Sequence, residues 1–154
     1  MAIKGRMTQE HWTEIENYYT DVISEIVLPD DPQTQDIKSI LVQLDSIFCE
    51  ARLDFSICKR NKEKIDRVFK LLHKQHYITA EGKTVTDKEC FVVDFLRKNP
   101  VDGMNQDIYS LLDIAEHRYF FMEGVLEVLR SKQDRCVTAS GILKIESSFV
   151  ISNG

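Results

Sequence analysis

Residues 44–72 read LDSIFCEARLDFSICKRNKEKIDRVFKLL. Apolar side chains recur in that stretch at Leu44, Phe48, Ala51, Phe55, Cys58, Ile65, Phe69 and Leu72, with Lys62 in the one polar slot. The steps alternate four and three without a slip, which places one stripe along a helix that must pack against another helix. A second series with the same rhythm runs Ile108, Leu112, Ala115, Tyr119, Met122, Leu126, Leu129. Two such series in one chain predict an all-α fold: an elongated antiparallel helical bundle built on two long helices.

The rest of the chain fits around this pair. Thr8 caps a first helix over 8–27, with an apolar stripe of Trp12, Ile15, Tyr19, Val22 and Ile26 and an acidic outer face of Glu10, Glu14, Glu16, Asp21 and Glu25. Pro29 and Pro32 stop it. The long basic helix is expected over 35–76. Residues 77–86 (YITAEGKTVT) turn β-branched, as a loop or a short β-hairpin around Glu81 and Gly82. Thr86 and Glu89 form a capping box for a short helix over 87–98, which buries Phe91, Val92, Phe95 and Leu96. Asp107 opens a fourth helix over 107–135, and a frayed tail is expected over 146–154. The whole is read as one domain, 1–154, as 154 residues with 43% hydrophobic content allow.

The fourth helix carries a second apolar edge, Leu111, Ile114, Phe121, Val125 and Val128, with Arg118 in its series. An edge of this kind needs cover from the N-terminal helix, the short helix or another copy of the chain. It is the expected interface of a homo-oligomer.

Charge is distributed unevenly. The chain carries a net charge of -5, yet residues 59–74 hold seven Lys or Arg against Glu63 and Asp66. With Phe48, Phe55, Lys62 and Phe69 at heptad position a, Arg60, Arg67 and Lys74 fall at f, Lys64 and Lys70 at c and b, and Arg52 and Lys59 at e. The cations therefore gather opposite the apolar seam. Arg52, Lys59, Arg60, Lys64, Arg67, Lys70 and Lys74 make a candidate nucleic-acid surface that tracks phosphates by charge. The alternative is an ordinary solvated helix face. Lys62 either snorkels out of the seam or sets its register.

Catalytic chemistry finds no footing. The sequence has no Walker A loop, no G-x-G-x-x-G, no G-x-S-x-G and no H-E-x-x-H. His73 and His76 are three apart but lack a third ligand at fitting spacing. No enzyme activity, metal or cofactor is expected. No apolar run reaches a membrane span or a signal-peptide core, and the four cysteines have no C-x-x-C spacing. They read as buried free thiols, so a cytoplasmic location is expected, that of a host cell if the chain is phage-encoded.

Two segments carry a resemblance: ARLDF at 51–55, ahead of the basic stretch, and YSLLDIAEHRYFFMEGVLEVLRSK at 109–132. Their layout resembles the UvsY-type recombination mediator proteins of tailed phages. In that family a lysine stands two residues before the arginine of the ARLD-like segment; here Glu50 takes that place. The resemblance implies Arg52 on a single-stranded-DNA-binding surface and a ring-like homo-oligomer. It also implies contact with a single-strand-binding protein and help in loading a RecA-like recombinase, with no bond made or broken. The competing expectation is a helical structural, assembly or adaptor protein, for example of a phage particle, with no nucleic-acid role.

Overall fold

The computed structural model describes residues 8–152, with side chains described for 8–145. Thr8 begins the first helix: its hydroxyl accepts a hydrogen bond from the His11 amide at 3.2 Å, and helix α1 runs Gln9–Glu25. Helix α2 follows as Thr34–Thr79, unbroken through 46 residues and ~69 Å of axis. Neither Gly nor Pro interrupts it. Helix α3 is Val85–Lys98 and helix α4 is Ile108–Ser152. These four helices hold the regular structure of the described residues, which include no strand.

Of the loop or short hairpin expected over 77–86, no strand occurs among the described residues. Thr84 explains why. Its hydroxyl accepts from the Asp87 amide at 3.1 Å, and the Asp87 carboxylate accepts from the Thr84 amide at 3.1 Å. This box sits two residues ahead of the expected one at Thr86 and Glu89, so it draws Val85 and Thr86 into the first turn of α3. An isolated two-stranded hairpin has little stability of its own to set against it. Gly82 completes the turn, because a Cβ there would lie 2.9 Å from the Asp87 Cβ. Thr84→Ala is expected to cost about 1 kcal/mol, read as a lower midpoint in urea unfolding.

Helix α4 starts where the sequence places it. Asp107 accepts from the amides of Tyr109 and Ser110 at 3.0 Å each and from the Ser110 hydroxyl at 2.6 Å. The Ser110 hydroxyl bond, then the Ser110 amide, holds the Asp107 carboxyl below the usual carboxylate range. A pKa depressed on folding stabilises the chain above the ordinary carboxylate range, and that stability is lost as pH falls through the lowered value. Asp107→Asn is thus expected to lower the thermal midpoint at neutral pH and to flatten the acid limb below about pH 4, where the two proteins converge. Just upstream, Gly103 takes a left-handed φ of 74° in the turn that leads into this cap.

At its other end α4 runs past 135 to Ser152, so the frayed tail expected from 146 is helical as far as that residue. Residues 153–154 lie outside the described residues. The seam continues as Leu129, Gln133, Cys136, Ser140, Leu143, and its two polar members hid it from the apolar pattern. Gln133 finds a polar partner instead, donating to Asp45 of α2 at 2.7 Å.

The contacts fall into two units. The first joins α1 and α2 through Phe55 to α4 from Phe121 onward. Its buried residues include Trp12, Ile15, Tyr19, Leu44, Ala51, Met122 and Leu129. Trp12 meets the Phe121 ring edge-on at 5.7 Å, and Lys132 donates to the Ile26 carbonyl at the end of α1. The second unit is Ser56–Phe120. Ala80, Val92, Leu96 and Ile108 form its core, lined by Ile65, Phe69, Leu72, Phe95 and Leu111. Within it Lys62 reaches Glu116 and Phe69 meets the Tyr109 ring edge-on at 5.5 Å, so α2 and α4 run antiparallel there. Phe91, expected inside, is exposed on the outer side of α3, while Val92 takes the core position.

Candidate nucleic-acid interface

Six cations of the second unit share one side of α2. At 100° per residue Lys59, Arg60, Lys64, Arg67, Lys70 and Lys74 fall within about 140° of the helix circumference. All six side chains are exposed. Arg60, Arg67 and Lys74 repeat every two turns, ~10.5 Å apart along the axis. Among the described residues none of the six pairs with a carboxylate. Arg67 turns its Nε to the Glu63 carbonyl oxygen at 3.2 Å and so makes no contact with the Glu63 carboxylate.

The seventh cation behaves differently. Lys62 sits half-buried between Asp66 at 3.3 Å and Glu116 of α4 at 3.5 Å, with its ammonium 5.9 Å from the Tyr119 ring centre. The Asp66 hydrogen bond raises its pKa further above neutrality, so it stays charged and engaged. Its charge is spent on locking α2 to α4. The polar slot in the seam is an interhelical clamp, and Glu116 is the partner that sequence spacing did not single out.

Arg52 belongs to the other unit, exposed, with its guanidinium 5.6 Å from the Phe48 ring centre. The segment around it is largely structural. Ala51 is fully buried, and Asp54, 1% exposed, accepts from the buried Tyr19 hydroxyl of α1 at 2.8 Å. Burial, then that bond to Asp54, pushes the Tyr19 phenol far up. Glu50 accepts from Tyr18 at 2.9 Å. The carboxylates of this segment therefore tie α2 to α1. Sequence reasoning missed both roles, because an acid beside an apolar seam looks the same whether it faces water or a buried phenol.

The second edge of α4 is largely used within the chain. Leu111 lines the core of the second unit, Phe121 packs on Trp12, and Val125 is buried. Ile114 and Arg118 are half-buried, and Val128 alone is exposed, at 44%. The apolar series expected to join copies of the chain is thus not a continuous open stripe.

His73 donates from Nε2 to the Glu89 carboxylate of α3 at 2.9 Å, and the His76 ring lies 4.2 Å from that of Phe95. Both histidines join α2 to α3. No cluster of three or more metal-ligating side chains occurs among the described residues. Cys58 and Cys136 are buried, and burial raises the Cys136 thiol pKa. Cys49 and Cys90 are exposed, contrary to expectation, because each lies off its helix's buried stripe. No helix among the described residues is long and apolar enough to cross a membrane.

The chain matches no protein-family model, no curated protein and no solved structure.

Proposed function

We propose that this protein binds single-stranded DNA along the outer face of α2 and acts as a recombination mediator, helping to load a RecA-like recombinase onto DNA covered by single-strand-binding protein. One observation carries the binding step: six exposed cations on one side of an unbroken helix, none paired with a carboxylate among the described residues, in a chain of net charge -5. The second unit holds twelve Lys and Arg against ten Asp and Glu, so its net charge is +2; the remainder, eight against fifteen, is -7. A localised positive field in an acidic chain directs a polyanion to one place.

The contact is electrostatic. Between 59 and 74 the rings are Phe69, half-buried against Tyr109, and His73, half-buried and bonded to Glu89, so the row offers no open platform for base stacking. Binding then tracks phosphates without reading bases. The recombinase and single-strand-binding-protein partners, and a homo-oligomer that sums several weak rows by avidity, come from the resemblance of 51–55 and 109–132 to UvsY-type mediators.

Filter binding of a labelled oligonucleotide tests the reading. Six neutralised phosphates on a single strand predict a loss of about 300-fold in affinity between 50 and 200 mM salt. Flat salt dependence, or no binding at low salt, removes the proposal. The second reading, a helical assembly or adaptor protein, is favoured by Leu71 and Ile78, which stand 57% and 71% exposed beside the cations. It predicts no oligonucleotide binding at any salt.

A further inference from the structure

Helix α1 carries an acidic stripe of about the same length as the cationic row, though narrower around the helix. Glu10, Glu14, Asp21 and Glu25 are exposed and fall within about 60° of its circumference. Only Glu14 has an ionic neighbour among the described residues, His11 at 3.4 Å. The stripe from Glu10 to Glu25 spans ~22 Å, and the row from Arg60 to Lys74 spans ~21 Å. Laid antiparallel, Glu10, Glu14, Asp21 and Glu25 fall opposite Lys74, Lys70, Lys64 and Arg60, each within ~1.5 Å of axial register.

We infer that the outer face of α2 docks the acidic face of α1 from a second copy of this chain. Helix α1 is held in its own unit by the buried Trp12, Ile15 and Tyr19 and by the bonds of Tyr18 to Glu50 and Tyr19 to Asp54. The same packing turns its acids outward. The contact joins two different surfaces, so it is head-to-tail, and repetition closes a ring or extends a filament. It uses the same row as the proposed function but does not require nucleic acid to be that row's ligand. Where nucleic acid does bind there, it displaces the α1 face, so this contact belongs to the unbound chain and is not the one through which a DNA-bound oligomer sums its rows.

Exposed ion pairs are individually weak and screened by salt, so the association is weak and salt-sensitive. The test mixes equal amounts of unlabelled and nitrogen-15-labelled chain at low salt. A carbodiimide then couples carboxylates directly to lysines. Mixed-isotope links between 8–27 and 59–74 are expected, with a yield falling at least about fivefold at 0.5 M salt. In sedimentation, Glu10→Lys with Glu14→Lys, Asp21→Lys and Glu25→Lys is expected to lose concentration-dependent mass yet keep oligonucleotide binding. Arg60→Glu with Arg67→Glu and Lys74→Glu loses both. An equal mixture of the two reversed chains regains association, which only folded chains can do. Links confined to one isotope, a mass independent of concentration, or acid-reversed chains that associate like the parent each overturn the inference. Self-association without oligonucleotide binding would retain it and remove the proposed function.

Discussion

Combining Arg60→Glu, Arg67→Glu and Lys74→Glu is expected to lower affinity for a single-stranded oligonucleotide at least about a hundredfold at 50 mM salt. The helical signal in circular dichroism should not change. The three positions repeat along the outermost line of α2, and their side chains are exposed, so no packing is lost. Each neutralised phosphate contributes a slope of about 0.7 in log affinity against log salt. Removing three of six contacts roughly halves the slope, and three new carboxylates add repulsion on top. Lys62→Met is the matched control. It also removes a cation from this stretch, but one already held by Asp66 and Glu116. Its oligonucleotide affinity should stay within about twofold of the parent, since it contributes no phosphate contact. If Lys62→Met weakens binding as much as Arg67→Met, which removes the same single charge from the row, total charge governs binding and the row has no special part in it.

Trp12→Ala is expected to cost about 3–5 kcal/mol, the largest effect of a single substitution in α1. The indole is fully buried and meets Phe121 edge-on. Its loss removes more apolar surface than any other α1 side chain can, and leaves a cavity between α1 and α4. A domain of ordinary stability has about 5–15 kcal/mol in total, so this one change takes a large share. Urea unfolding measures the loss, and hydrogen exchange locates it: the amides of α1 should lose protection first. A change under about 1 kcal/mol would mean that the face of α1 bearing Trp12 is not its packed face.

Much of this molecule is legible in the residues. Alternation of four and three from Leu44 to Leu72 and from Ile108 to Leu129 specifies two long helices, because only helices bring those positions to one side. The cationic side of α2 follows from the same geometry, since residues that avoid the seam must collect opposite it. Thr8 and Asp107 cap where composition places them, because capping is a local bond between a side chain and amides two or three residues on.

Other features resist such reading for equally physical reasons. The choice between Thr84 and Thr86 as the cap of α3 turns on a difference of two residues between similar local bonds. The extension of α4 past Arg135 follows a seam on which Cys136 is buried but whose members Gln133 and Ser140 are polar, and Gln133 meets Asp45, a partner 88 residues away. Asp54 looks like any surface acid until α1 brings the Tyr19 hydroxyl to it.

By itself the sequence determines helix type, the apolar side of each helix and the sign of charge on its outer side, because these depend on spacing along one chain at 100° per residue. Tertiary structure alone decides which charges are spent and which remain available. Lys62 and Arg67 are five residues apart and chemically alike in sign. One is clamped between Asp66 and Glu116, and the other is exposed, its Nε bonded to the Glu63 carbonyl oxygen and no carboxylate paired with it among the described residues. Asp66 stands four residues on in the same helix and can be read from spacing, but Glu116 comes from α4, and no pattern within a single helix contains that distance.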